Sequence, residues 1–354
     1  MKTTLVLFIA GVLTVFLFSC GNSSTDPSPD SGLHGWAVGA TFDGYATILH
    51  TGDGGNWGRQ GTPATVPEAE LTSISVVDSN TVWAAGGAYE GFGVVMKTTD
   101  GGENWLRIGS MISIPDATGA IHGVSSTTAW VVGANNSILR TGDGGITWYD
   151  MSDPQFSQCN WSSIYLVGQS HIWVCGENTG TVAGQIIHST DGGASWRSEA
   201  DSLLAGGWYM ITIKAWDENN AWAVGHGYLI LNTTDGGDNW EIVTPDSMQY
   251  SQNDANGIAL LSPDDAWVAL DYGNIWKTAD GGANWTFQNT GYGGFFLLRI
   301  SALDTSTAWV SGSSGFGTQE GLILHTSDGG NNWIRQDDGT NQGLWDVGID
   351  GAMH

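Results

Sequence analysis

One short box recurs along this chain, and few folds accept a box at that spacing. It reads Thr or Ser, any residue, Asp-Gly-Gly, two residues, Trp. Six full copies place Asp100, Asp143, Asp191, Asp235, Asp280 and Asp328 ahead of Trp105, Trp148, Trp196, Trp240, Trp285 and Trp333. A seventh copy, Asp53 to Trp57, is one residue short. The aspartates lie 43 to 48 residues apart. Ahead of each box stands a second signature, a Trp followed by small or apolar residues: Trp36, Trp83, Trp130, Trp173, Trp222, Trp267 and Trp309. In six of the units a β-branched stretch comes earlier still, such as Ser73-Ile74-Ser75-Val76 or Thr212-Ile213-Lys214-Ala215. Period-two alternation in these segments predicts strands rather than helices. Four short strands, a to d, in a unit of about 46 residues make one propeller blade. The repeat region opens on a strand b at Trp36 and finishes on a lone strand a, Leu344 to Ile349. Pairing those two completes a seventh blade and removes the open sheet edges. The expectation is an all-β chain: a single seven-bladed β-propeller of four-stranded antiparallel blades over residues 34–354.

Composition supports this and excludes two partner classes. Glycine is 53 of 354 residues and tryptophan 19, which suits tight turns between packed strands. Charge is one-sided, with 36 acidic against 10 basic residues and a formal net charge of −26. A nucleic-acid binder needs clustered Lys and Arg, so that class is excluded. A polybasic grip on anionic lipid fails for the same reason.

The first residues read as an address. Lys2 precedes an apolar run, Leu5 to Phe18, too short to span a bilayer and suited to a signal-peptide core. The run ends Leu17-Phe18-Ser19-Cys20-Gly21, which resembles a bacterial lipobox. The expected organisation is a lipoprotein signal over 1–19, then lipidated Cys20 and a flexible tether over 20–33. The propeller follows over 34–354. Gly21 after the cysteine favours the outer membrane by analogy with enterobacterial sorting. Membrane contact is expected through the anchor only, in an oxidising compartment. There Cys159 and Cys175, which flank a predicted hairpin, leave two readings open: a disulfide, or two small buried thiols.

The box resembles the BNR or Asp-box repeat of sialidases, sortilin and some xyloglucan-degrading enzymes. The full unit, Trp-Ala-Val-Gly and then Thr-Thr-Asp-Gly-Gly-x-Asn-Trp, is most similar to the photosystem II stability and assembly factor propellers. That family includes lipoprotein or secreted relatives in non-photosynthetic bacteria. The resemblance covers residues 34–354 and implies fold more firmly than activity. It implies a non-enzymatic scaffold that holds a protein partner during assembly. Partner binding in the family involves an arginine-bearing face; here the arginines are dispersed, so a photosystem partner is not carried over.

Repetition assigns most chemistry-bearing residues to architecture. The box Asp is expected to accept turn N–H groups, the glycines to supply positive φ, and the Trp to pack on a sheet. Three residues before each box Asp stand His50, Lys97, Arg140, His188, Asn232, Lys277 and His325. A ring spreads such equivalents apart, so they cannot converge on one ligand. No cofactor and no metal site is read from this sequence. The inner strands carry one arginine, Arg299, where a sialidase needs three converging ones.

The loops that join b to c and d to a vary between units and share one face of a propeller. They carry the candidate binding residues Tyr45, Tyr89, Phe92, Trp208, Tyr209, Tyr250, Tyr272, Tyr292, Phe295, Phe296 and Phe316. Exposed aromatics of this kind supply interface hot spots. The expected function is a non-enzymatic cell-envelope lipoprotein that binds another envelope or secreted protein through this face. A glycan-binding module or a glycoside hydrolase is the alternative, since aromatic platforms stack on sugars and paired carboxylates hydrolyse them.

Overall fold

The computed structural model describes residues 32–354 apart from 90–91, 109–117, 246–252, 316–319, 337–338, 340–341 and 353–354. Cys20 and its leader, Tyr250 and Phe316 lie outside the described residues, as do the side chains of Tyr89 and Phe92. Seven four-stranded sheets succeed one another, and each innermost strand contacts that of the next blade all the way round. The ring closes as the repeat count requires. The strand Leu344–Ile349 pairs antiparallel with Gly35–Phe42, Gly35 opposite Ile349 and Ala37 opposite Val347.

Each box is a hydrogen-bonded turn between strands c and d. In blade 2, Thr98 Oγ1 donates to Asp100 Oδ1 and accepts from the Gly102 N–H. Asp100 Oδ1 also accepts from the Asn104 N–H, and Oδ2 from the Asn104 side chain. Thr147 and Ser195 take the Asn104 place in the next two blades. Gly282 shows why the second glycine is required: its φ is +88°, and a Cβ would meet Val243 at 2.7 Å. In the shortened box Asp53 Oδ1 accepts from both the Gly55 and Asn56 N–H groups.

Six of the seven strand-b indoles, all but Trp130, are the largest fully buried side chains among the described residues, and neighbouring residues grip them. The slot three before the box Asp lies directly opposite them in register: Trp83 faces Lys97, Trp173 faces His188, Trp267 faces Lys277 and Trp309 faces His325. Lys277 Nζ sits 4.1 Å from the Trp267 ring centroid, and the His188 ring stacks 3.6 Å from Trp173. On the neighbouring blade a box glycine comes close. Trp309 Nε1 donates to the Gly54 carbonyl at 2.8 Å. The slot residues therefore serve the blade seams, as their even spacing implied.

The cysteine hairpin departs from a disulfide. Its strands run further than expected, Cys159–Val167 and His171–Asn178, and Cys159 lies opposite Asn178 while Cys175 lies opposite Ser163. Both thiols are free and buried in different hydrophobic clusters. Burial pushes their pKa values up to about 11 and about 12. The second reading, two small buried thiols, is the one realised.

The inner strands enclose an axial cavity of about 460 Å³. Ser73, Ser163, Thr212, Arg299 and Asp346 line one level of it, and Ser75, His122, Tyr165 and Lys214 the next, two residues further along their strands. The apolar residues between them, such as Ile74, Ile164 and Ile213, pack into the inter-blade cores.

The boxes make the fold acid-sensitive. Hydrogen bonds from Thr147 and Ser195 hold the Asp143 and Asp191 carboxyls down at about 2, against 3.8 for a free aspartate. A depressed carboxyl stabilises the fold above the unfolded value and loses that contribution as pH falls through the folded one. The melting temperature is therefore expected to drop between pH 4 and pH 2, and to drop less in Asp143→Asn. Scanning calorimetry across that window checks this; a flat melting temperature would refute it.

Candidate functional site: the aromatic loop face

The b–c and d–a loops gather at one end of the ring, and the aromatics they carry divide into two groups. Tyr45 belongs to the fold. Its ring lies 3.7 Å below the Arg59 guanidinium carbon and packs on a core cluster. Tyr292 and Phe295 pack on the core between blades 6 and 7, with Arg335 over Phe295. The backbones of Tyr89 and Phe92 pair across the end of a b–c hairpin.

Trp208, Tyr209, Tyr272 and Phe296 form the other group, on blades 5 to 7. Tyr209 is 37% exposed and Tyr272 50%. Tyr272 stands at a tight turn with φ +60° and lies 5.8 Å from the Phe296 ring. A histidine that sequence reasoning missed organises the first pair. His226, on the b–c loop of blade 5, stacks on Tyr209 at 4.9 Å and on Trp208 at 5.5 Å. Its Nδ1 lies 2.6 Å from Asp254 Oδ1, and Asp254 Oδ2 accepts from the Tyr209 hydroxyl at 3.0 Å. One carboxylate from the next blade thus fixes both rings. Burial first, then Asp254, pushes the Tyr209 pKa up to about 12, so the hydroxyl stays a donor at neutral pH.

A second acid, Asp271, supports the first from below. Its Oδ2 accepts from the Asp254 N–H and its Oδ1 from the Asn256 side chain. Burial raises its pKa. Asp254 keeps some exposure, whereas Asp271 is buried with both oxygens engaged. A glycosidase needs two carboxyls reaching one substrate bond; only Asp254 of this pair is open to solvent. His226 and Asp254 resemble the base and orienting acid of a hydrolytic triad, yet no serine or thiol joins their described hydrogen bonds. Beside Trp208 lies a cavity of about 250 Å³ lined by Leu203, Leu229 and Ile242, large enough for one apolar side chain. Among the described residues no cluster of three His, Cys, Asp or Glu is placed to hold a metal ion.

Comparison with known proteins agrees with the architecture. Residues 22–148, 116–212 and 164–314 match the family described as Photosynthesis system II assembly factor YCF48. The chain belongs to this family. The Photosystem II assembly lipoprotein Ycf48 of Synechococcus sp. (strain CC9902) is 29% identical over 172 residues, 46% of this chain and 49% of that protein. The chloroplastic Photosystem II stability/assembly factor HCF136 of Oryza sativa subsp. japonica is 27% identical over 173 residues, 43% of this chain and 40% of that protein. These alignments span about half the length of each relative or less. Among solved structures, YCF48 bound to D1 peptide superposes with a TM-score of 0.63 at 19% identity, covering 83% of this chain and 88% of that one. The GH74 xyloglucanase from Xanthomonas campestris superposes at 0.61 with 13% identity, covering 86% of this chain and 55% of that one. At such identities these two likenesses concern the fold alone.

The division of the aromatics is measurable. Tyr272→Ala removes a half-exposed ring and is expected to change stability by less than about 0.5 kcal/mol. Tyr45→Ala strips the Arg59 contact and core packing and should cost more than about 1 kcal/mol. Urea unfolding of both variants checks this, and equal effects would contradict the division.

Proposed function

We propose that this protein is a lipid-anchored lipoprotein of the bacterial cell envelope, on the outer membrane, that works without catalysis as an assembly scaffold. It binds a protein partner on the loop face around Trp208, Tyr209, His226 and Tyr272. The observation that carries this reading is the clamp on the two stacked rings. Asp254 holds Tyr209 and His226 rigid and partly exposed, which lowers the ordering cost of binding. Membership of an assembly-factor family supports the role, and a relative of the same fold has been captured with a peptide, D1. The carboxylates at the rim favour a partner whose apolar anchor is flanked by Lys or Arg. The apolar cavity beside Trp208 would take the anchor.

The same stacked rings beside a carboxylate favour a glycan as the second reading. A sugar ring would lie on Tyr209 or Tyr272, with Asp254 accepting from its hydroxyls.

Affinity capture of the lipidated protein from its own envelope separates the two. The scaffold reading expects one stoichiometric protein, lost in Tyr209→Ala/Tyr272→Ala and retained in a variant altered on the opposite face at Ile146. Polysaccharide captured without protein would move the assignment to sugar recognition. Partner protein retained by the double variant would overturn the proposed face.

A further inference from the structure

The axial cavity holds polar groups that the fold does not use. At its first level every charged side chain has a structural task. Asp346 accepts from the Ile74 and Val347 N–H groups, and Arg299 Nη1 donates to the Asn256 and Leu298 carbonyls. The bonds to Ile74 and Asn256 tie neighbouring blades together. The next level differs. Lys214, His122 and Tyr165 stand on three consecutive blades, and none of their side chains makes a hydrogen bond among the described residues. They also meet one another: the Tyr165 and His122 rings pack edge to face at 5.0 Å, and Lys214 Nζ lies 5.1 Å from the Tyr165 centroid. No nitrogen of Lys214 or Arg299 comes within 4.0 Å of the Asp346 carboxylate. Lys214, His122 and Tyr165 are all half-buried, with polar atoms open to the cavity rather than sealed in the core, and so are free to meet a ligand placed there.

Charge indicates which kind of ligand fits. The chain carries a net charge of −26, yet two of its ten basic residues are directed into this cavity beside a single carboxylate. Burial pushes the Lys214 pKa down to about 8, Asp346 raising it and Arg299 lowering it further. Lys214 remains mostly protonated at neutral pH. Burial and the nearby lysine hold His122 at about 3, so its ring is neutral and offers one donor and one acceptor. The cavity reaches the turn residues Val77, Val124, Gly168 and Gly351, on the face that carries the boxes. A ligand would enter there, away from the aromatic loop face.

We propose that the axial cavity is a binding site for a small oxyanion, a carboxylate or phosphate group held by Lys214 and Arg299, with Tyr165 and His122 completing its hydrogen bonds. A volume of about 460 Å³ suits a metabolite of dicarboxylate size rather than a polymer. The site is independent of the partner surface, and either can fail without the other.

Calorimetric titration of the full chain with succinate, citrate and inorganic phosphate tests this, with the uncharged succinamide as control. Saturable binding of at least one anion and none of succinamide is expected. Preference among the three separates a carboxylate from a phosphate site. Lys214→Met keeps the side-chain length without the charge and should weaken the preferred anion about tenfold or more, from loss of a charge-assisted bond. Lys214→Arg should recover part of it. Circular dichroism establishes that the variants fold, and the wild-type titration decides the question if they do not. Absence of binding by all three anions, or equal affinity in wild type and folded Lys214→Met, would overturn the proposal.

Discussion

The ring depends on how each strand-b tryptophan is held. Its indole is buried at a seam, faced across the strand pair by a lysine, arginine, histidine or asparagine, and met from the next blade by a box turn. An indole supplies a large apolar area and one donor. The aspartate of the box shapes a turn tight enough for glycine backbone to approach that ring. The repeated Trp, the repeated Asp-Gly-Gly and the repeated cation or histidine are three parts of one seam contact.

Local departures show what the seam needs. In three blades a glutamine three residues after the box Trp accepts from the neighbouring box Trp and donates to a box carbonyl: Gln60, Gln288 and Gln336. Blade 4 carries Glu199 there, and a carboxylate cannot donate. Arg197 supplies the donor instead, reaching the Gly236 carbonyl while pairing with Glu199 and Asp238. Burial pushes Glu199 up to about 7. The substitution keeps the carbonyl partnered and leaves an ionisable group in a seam.

The fold was legible because repetition multiplies weak signals: seven boxes, seven indoles and a final unpaired strand admit one arrangement. The site was only partly legible. Tyr45 and Tyr209 look alike as loop tyrosines, and burial separates them only once Arg59 is seen to cover the first. His226 escaped notice because its partner Asp254 is 28 residues away on another blade. The axial cavity was hidden in plain repeats. Tyr165 and Lys214 stand third in the stretches Ser163 to Leu166 and Thr212 to Ala215, whereas His122 joins them only through the register of the strand Thr118–Gly123, which runs earlier than its sequence signature. The disulfide reading failed on register, since flanking a hairpin does not place two cysteines opposite each other.

Two surfaces of opposite character result, an acidic aromatic face at one end of the ring and a basic cavity open toward the other. The claim that the aromatic face meets the protein partner is tested most directly by site-specific photo-crosslinking in intact envelopes. A photoreactive residue would replace Tyr272 in one protein and Ile146, 80% exposed on the box face, in another. The account predicts a discrete crosslinked protein from position 272 and none from 146. Crosslinking from 146 alone would contradict it.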